Sequence, residues 1–522
     1  MVRSMKSRHV SDMMQALDAS EPFDVCIIGS GPAGTILGRS LVERGIRTLI
    51  LESGSTLFHW FFDRHLRFLS RYEFTGNTEY PLKNTRARTL GGTSNFWTGR
   101  CTRFHVSDLD PNPYTPEGNP WPITYEELDP YYVQAENTLR VRGGDFSEHV
   151  PPRKNPLPIL PRAGTNRLKS YLADVGVIAD SSPTSVPRKG FRFFRVQNEI
   201  LPDFLSSSHG TLVSGANVTR LIPDGERRIV EAEVRTLDGV RKLVRANVFV
   251  VACGGIETPR LLLHSRSSVF PNGIGNSYDM VGRGFNDHHA VNFFASIRHT
   301  RYTVSPFSKI VRGHQYYDLF RPEGLGSVLL VFRQAWIFPH HNLPLLGISK
   351  ISNLPRVLMN VLRRPVKPTL YIGATIEMRI SDSNRVVLSE RKNDCFGNPL
   401  AHLIFHYTEE DLRTLERSRE LIRGIYRKLG ATDVREVEVS WSRHHQSTCR
   451  MGDNPKTSVV DRNLRVHESP NLYLCGSEVF VTGGAMQPCL TIAALAHRLA
   501  DHLYSHLKDR QDVRPPRISA RV

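Results

Sequence analysis

Residues 24 to 52 constrain this chain more than any other stretch. Val25-Cys26-Ile27-Ile28 is a short apolar run of the kind buried as a parallel strand, and Gly29-Ser30-Gly31-Pro32-Ala33-Gly34 follows at once. In this G-x-G-x-x-G spacing Gly29 permits a tight turn and Gly31 lets the backbone approach a pyrophosphate, where any side chain would intrude. Gly34 allows close helix–strand packing. The spacing predicts a helix from about Ala33 to Arg44 whose first N–H groups point at phosphates. A second apolar strand, Thr48 to Leu51, ends in Glu52, eighteen residues beyond Gly34, where an acid can accept hydrogen bonds from a ribose. That acid suits a ribose with free hydroxyls, as in NAD or FAD, and not a 2′-phosphate.

Length and charge narrow the class. A chain of 522 residues with 40% hydrophobic and 23% charged residues is an ordinary globular composition of about three domains. It has no apolar run long enough to span a membrane, and the charged first twenty residues do not read as a secretory signal. The seven cysteines, at 26, 101, 253, 395, 449, 475 and 489, are dispersed, which suggests thiols in a reducing, cytoplasmic setting. The net charge of +17 is spread along the chain without a nucleic-acid module, so it reads as solvated surface.

Beyond Glu52 an aromatic, basic segment from Leu57 to Tyr72 is expected to pack over the first unit. Arg86-Ala87-Arg88-Thr89-Leu90-Gly91-Gly92-Thr93-Ser94-Asn95-Phe96-Trp97 pairs two glycines with small hydroxyl residues. Such a loop can lie flat against a planar ring with its N–H groups free, although by itself it reads first as an ordinary glycine-rich turn. Strands are expected at Thr211 to Val213, Ile229 to Thr236 and Arg241 to Val251, with an Asp238-Gly239 turn between the last two. Val248 to Leu263 reads as strand, glycine pair and helix, another unit of a parallel sheet.

Residues 290 to 440 alternate differently. Strands at Ala290 to Ile297, Ser327 to Phe332, Tyr371 to Ile380, Arg385 to Leu388 and His402 to His406 precede a helix from Glu409 to Leu429. Its inner side is expected to carry Leu412, Leu415, Leu421, Ile422, Ile425 and Tyr426, giving an α+β layer. The amphipathic, basic stretch 343–368 fits a lid, a subunit contact or the surface of an anionic membrane. Adjacent His pairs at 288–289, 340–341 and 444–445 lack metal-ligand spacing.

The first motif, the Leu90-Gly91-Gly92-Thr93-Ser94 loop and Trp121-Pro122-Ile123-Thr124-Tyr125-Glu126-Glu127-Leu128 resemble the glucose–methanol–choline (GMC) oxidoreductase family, in particular the bacterial relatives of pyranose oxidase. The resemblance implies FAD rather than NAD. It implies an α/β fold, a Rossmann-like FAD-binding domain of GMC and glutathione-reductase type with an inserted α+β substrate domain on an antiparallel sheet. The FAD-binding domain is then expected from 20–110, 205–290 and 441–508, the substrate domain from 111–204 and 291–440, and terminal arms at 1–19 and 509–522.

By the same resemblance Arg86, Gly91, Gly92, Thr93, Ser94 and Asn95 lie at the flavin, and the backbone near Asn217-Val218 meets the adenine. Gly476 and Ser477 join the cofactor site. The backbone of Cys489 and Leu490, at a helix N-terminus after Pro488, faces the pyrimidine end of the flavin. The family pattern His-x-x-Gly-Thr-x-x-Met carries the catalytic role to His444, with Ser447 where the family usually has Gly, and with Thr448 and Met451 in place. Relatives have Asn before Pro-x-Leu-Thr as the second catalytic residue, where this chain has Gln487. Phe96 replaces a histidine that tethers the flavin in related members, so FAD is expected to be non-covalent. The implied reaction removes a hydroxyl proton at His444, with a pKa near the working pH, and a hydride to the flavin from a sugar-like or other secondary alcohol. Oxygen or a quinone-like acceptor reoxidises the flavin. A non-redox lyase and a flavoprotein subunit of an electron-transfer complex are the alternatives on the same scaffold.

Overall fold

The structure, a computed structural model, describes residues 22–54, 70–78, 80–82, 85–143, 147–154, 163–188, 193–297, 310–336 and 368–512. Its first unit is the strand–turn–helix–strand expected above. Phe23–Ile28 and Thr48–Glu52 are buried on both faces and pair in parallel, with Val25 opposite Thr48 and Ile28 opposite Leu51. The helix Pro32–Val42 runs between them and opens on proline, whose missing N–H costs nothing in a first turn. Gly29 turns at φ +104°, and a Cβ on Gly34 would strike the Gly29 carbonyl oxygen. Both glycines are therefore required by the protein itself.

Thr48–Glu52 also pairs in parallel with Gly210–Ser214, and Phe23–Ile28 with Arg241–Val251, which carries Leu472–Leu474 in parallel. Arg241–Val251, Ile229–Arg235 and Asn217–Pro223 continue as an antiparallel ladder, which completes a seven-stranded sheet among the described residues. The hairpin turn is at Asp238-Gly239, with Gly239 at φ +93°.

The second layer is antiparallel. Its order is Thr432–Trp441, His289–Ser296, Pro368–Ile376, Val328–Trp336, Val311–Gly313 and Asp180–Ser181. Alternate residues such as Val291, Phe293, Leu330, Phe332, Ile372 and Ala374 share a core with Leu415, Ile422 and Ile425 of the helix Glu409–Lys428. Thr408 caps that helix. Its hydroxyl accepts from the Asp411 N–H at 3.2 Å, and Asp411 accepts in return from the Thr408 N–H at 3.0 Å. This box holds Asp411 inward and so turns Leu412 out: Leu412, expected on the inner side, is 52% exposed.

Segment 111–204 contributes to both cores. Trp121, Leu128 and Tyr132 join the core of the parallel sheet, where the helix Tyr125–Thr138 packs along Cys489–Asp512. Leu168, Tyr171 and Leu172 join the antiparallel core. The last helix runs from Cys489 to Asp512. The aromatic segment 57–69, the stretch 343–367 and the arms 1–19 and 513–522 lie outside the described residues. No helix among the described residues is long and apolar enough to cross a membrane. All seven cysteines are free thiols, and only Cys395 is exposed.

Candidate active site

Three segments converge on the Gly29–Gly34 turn. The Ser30 N–H and hydroxyl both donate to Glu52 Oε2, at 2.9 and 2.6 Å, and the Gly54 N–H donates to Glu52 Oε1 at 2.6 Å. The Ala216 N–H donates to the Glu52 carbonyl at 2.9 Å, which draws Asn217 and Val218 alongside. The Gly91 N–H donates to Ser30 Oγ at 3.1 Å, and a Cβ on Gly92 would sit 3.0 Å from Gly31 Cα. Gly91 and Gly92 can close over Gly31 because both adopt positive φ, +80° and +54°.

The cradle so formed fits a dinucleotide. A Cβ on Gly31 would meet no protein atom within 4 Å, and the helix Pro32–Val42 has no side-chain cap. An open space before an uncapped helix N-terminus is where a pyrophosphate binds. The intrusion expected of a Gly31 side chain is therefore toward a ligand and not toward the protein. Asn217 Oδ1, buried beside this space's Glu52 wall, has no partner.

Some expected ligands are otherwise engaged. The Ser94 hydroxyl donates to the Gly91 carbonyl at 2.7 Å, and Asn95 Nδ2 donates to the carbonyls of Leu90 and Gly92 at 2.8 and 3.1 Å. These two side chains shape the loop, whereas Thr93 is exposed. Arg86 is engaged in a similar way. Its guanidinium donates to Glu257 at 2.5 Å and to the Ser70 carbonyl at 2.8 Å, and Arg88 and Arg260 share the same carboxylate. Burial would raise the Glu257 pKa, but Arg88, Arg86 and Arg260 hold it at about 2. Arg86 is thus committed to a buried ion cluster, with only Nε unpartnered.

The His444 motif is assembled against two other segments. Asp287 Oδ1 accepts from the backbone N–H of His444 at 2.7 Å, and Oδ2 accepts from the Arg443 N–H at 3.1 Å and the Tyr80 hydroxyl at 2.6 Å. His444 Nδ1 lies 2.8 Å from His288 Nδ1, and His288 Nε2 lies 3.2 Å from the Gly483 carbonyl oxygen. That carbonyl can only accept. With both rings neutral, the proton assignment that satisfies every group puts hydrogen on His288 Nε2, makes His288 Nδ1 an acceptor, and makes His444 Nδ1–H its donor. A lone pair is left on His444 Nε2. Gln446 Nε2 is also 3.2 Å from His288 Nε2 while Gln446 Oε1 has no partner, and the reversed amide would present that oxygen to the His288 N–H.

Both rings are neutral. Burial lowers the His288 pKa to about 4, and burial with the neighbouring His288, His445 and Arg312 charges holds His444 well below the usual histidine range. This corrects the expectation of a His444 pKa near the working pH, because the ring is enclosed and has no carboxylate beside it to favour the cation. His445 is a packing residue. It meets the Thr85 hydroxyl at 2.9 Å between the Tyr80 and Phe285 rings.

Ser447 stands at φ +68°, which explains the glycine of the related pattern. From there the chain pairs with the segment after Leu474. The Ser447, Cys449 and Met451 N–H groups donate to the carbonyls of Ser477, Glu478 and Val479 at 3.0, 2.8 and 2.9 Å, and Ser477 Oγ donates to the His445 carbonyl at 2.7 Å. Gly476 is extended, and a Cβ there would collide with the Glu478 carboxylate.

The loop before Gln487 is clamped from the second layer. The Ala485 N–H donates to the Tyr317 hydroxyl at 2.8 Å and the Gly484 N–H to Glu377 Oε1 at 3.2 Å. Tyr317 donates to Asp108, and Arg321 bridges Asp108 and Glu377 at 3.0 and 3.3 Å. Burial and Glu377 push the Asp108 pKa up to about 8 against the pull of Arg321. No hydrogen bond joins His444 to Gln487. Instead His288 ties His444 to Gly483, four residues before Gln487, whose buried Oε1 has no partner. Cys489 begins the last helix, with Leu490 buried behind it.

Sequence reasoning missed Asp287 and His288, although an acid directly before a histidine pair is visible at 287–289. Asp108, Tyr317, Arg321 and Glu377 carry no local signal, since they meet only through the fold.

Comparison with known proteins agrees with this geometry. Models of the GMC oxidoreductase family match residues 27–290 and 381–496. Paromamine 6'-oxidase of Streptomyces fradiae is 28% identical, over 94% of this chain and 93% of its own. The fructose dehydrogenase large subunit of Gluconobacter japonicus is 25% identical over 93% and 98%. Among solved structures, pyridoxine 4-oxidase from Mesorbium loti superposes with a TM-score of 0.64 at 19% identity, covering 93% of this chain and 99% of that one.

Proposed function

The chain belongs to the GMC oxidoreductase family, and from that premise we propose that it oxidises a secondary alcohol of a sugar, glycoside or polyol to the carbonyl with non-covalently held FAD. The observation that carries the reading is the chain from the Gly483 carbonyl through His288 to His444, which leaves His444 Nε2 as a proton acceptor. His444 takes the hydroxyl proton of the substrate at that atom. Gln487, whose amide N–H can donate to the hydroxyl oxygen while His444 takes its hydrogen, orients the same hydroxyl. Asp287 fixes the backbone of His444 from behind.

Gly29 to Gly34, Glu52, Gly91, Gly92, Val218 and the backbone at Cys489 and Leu490 would hold the FAD. When bound, FAD supplies the acceptor for the hydride that leaves the hydroxyl-bearing carbon. Phe96, 49% exposed, offers no group for a covalent link. We read 20–110, 205–290 and 441–508 as the cofactor-holding part, and 111–204 with 291–440 as the part facing substrate. The names of the relatives, paromamine oxidase and fructose dehydrogenase, support a sugar-like alcohol and leave oxygen and a quinone-like carrier both as electron acceptors. The location consistent with seven free thiols is the cytoplasm. Anaerobic mixing with a panel of polyols and glycosides tests the reading, since an alcohol oxidoreductase bleaches its flavin absorbance and a lyase does not.

A further inference from the structure

We propose that the alcohol oxidised here carries an oxyanion, a carboxylate or a phosphate ester, received by Arg312 and Arg100 on the face of the antiparallel sheet opposite its hydrophobic core. This deepens the reading above and rests on it.

The face is fixed by alternation. Val311, Leu330, Phe332, Leu370, Ile372, Val291 and Phe293 point into the core beneath the helix Glu409–Lys428. Their neighbours therefore point the other way. Arg312 stands opposite Val331, Val331 opposite Gly373, and Gly373 opposite Asn292. A Cβ on Gly373 would run into the Tyr371 hydroxyl and come within 3.0 Å of Asn292 Oδ1, so both side chains lean over this same surface. The Tyr371 hydroxyl donates to Asn292 Oδ1 at 2.6 Å.

Arg312 is 1% exposed, and its Nε and Nη1 have no hydrogen-bond partner. The charges that act on it come from Arg100 and Tyr371, and those on Arg100 from Tyr371 and Arg333. No carboxylate pairs with Arg312 or Arg100 among the described residues. The sequences 298–309 and 337–367, which join these strands, contain no Asp or Glu. Asp180 stands opposite Arg312 on the neighbouring strand, but its two oxygens accept from the Ser147 N–H and hydroxyl at 2.7 and 2.8 Å, and it makes no ion pair with Arg312. A buried guanidinium without an ion pair or full hydrogen bonding is strongly unfavourable, and its planar donors match a carboxylate or phosphate. The row that starts at Arg312 ends at Asn292, whose Nδ2 donates to Ser440 Oγ at 3.0 Å, four residues before His444, and the Arg312 charge acts on His444. An anion seated there is therefore part of the substrate being oxidised and not a remote effector.

The test uses the FAD-loaded enzyme under anaerobic conditions, with glucose, glucuronate, gluconate and glucose 6-phosphate as probes. Binding is read from the perturbed flavin spectrum and turnover from its bleaching. The expected result is at least tenfold tighter binding of an acidic probe than of glucose, weakened by salt. Preference for glucuronate or gluconate identifies a carboxylate, and preference for glucose 6-phosphate a phosphate ester. Arg312→Gln should weaken the acidic probe ten- to a hundredfold, at least tenfold more than it changes glucose, with Arg312→Lys in between. If Arg312→Gln does not retain FAD, Arg100→Gln makes the same comparison. Equal binding of glucose and all acidic probes, or unchanged acid affinity in a variant with full FAD content, overturns the inference. Flavin bleaching by neutral sugars with no acid preference would leave the oxidation reading intact and remove this one. Acid binding through Arg312 without bleaching by any probe would keep the anion site and count against the oxidation reading.

Discussion

The Nδ1 atoms of His288 and His444 lie 2.8 Å apart, and the Gly483 carbonyl on the far side of His288 decides which of them carries the proton. A residue outside the His444 motif thereby sets the tautomer of His444. His288→Ala removes the acceptor and frees the wrong tautomer, so flavin reduction should slow by about 10²-fold or more. His288→Gln, whose amide can both accept and donate, should recover part of the rate. Stopped-flow flavin absorbance measures both, and a His288→Ala variant that matches the parent would remove the tautomer assignment.

The pH profile checks the electrostatics of the same pair. Burial and its neighbours hold His444 well below 6.5, so the ring is already unprotonated at neutral pH. The limiting rate of flavin reduction should stay level as pH falls from about 8 to about 6. A loss of rate with an apparent pKa near 6.5 would show a solvated, protonatable base instead.

Gly31 and Gly34 look alike in the motif but fail differently. A Cβ on Gly31 meets no protein atom, whereas one on Gly34 strikes the Gly29 carbonyl. Gly31→Ala should fold with near-parental secondary structure and bind FAD poorly. Gly34→Ala should lose stability by about 3 kcal/mol through overpacking between helix and strand. FAD content and apoprotein melting temperature, measured on both variants, separate the two outcomes, and equal effects would contradict the assignment.

Glu478 is buried, and burial pushes its pKa from 4.5 up to about 7 against the pull of its own N–H and of the Thr258 hydroxyl. Because the folded pKa lies above the unfolded one, the favourable contribution of the neutral acid is complete below about pH 4.5 and lost as pH rises through 7. The full difference is on the order of 3 kcal/mol. Glu478→Gln should therefore raise the melting temperature of the FAD-loaded protein by several degrees at pH 8 and by much less at pH 5. A pH-independent gain would mean that the carboxylate is already satisfied.

The strand, turn, helix and acid of the first unit were legible because their demands are local. Gly29, Gly31, Gly34 and Glu52 stand at spacings fixed by one strand, one turn and one helix. The His444 motif was legible by resemblance, and Ser447 at φ +68° accounts for its one departure. What the sequence hid is long-range. Asp108, Tyr317, Arg321 and Glu377 are drawn from four segments and gather only when the antiparallel sheet folds over the loop at 482–485. Thr432–Trp441 went unread as a strand because its Thr432-Asp433-Val434-Arg435-Glu436 half is exposed and polar at the edge of the sheet. The Arg86 ion pair was hidden for a similar reason, since Glu257 lies 171 residues away.

The central claim is that His444 Nε2 accepts the substrate's hydroxyl proton. The most direct measurement is anaerobic stopped-flow reduction of the FAD-loaded His444→Ala variant against the parent, with a substrate found by the alcohol panel. The account predicts a fall in the limiting rate of flavin reduction of about 10²–10⁴-fold, with substrate affinity and the oxidised flavin spectrum little changed. Reduction at the parental rate in the fully flavin-loaded variant would contradict it.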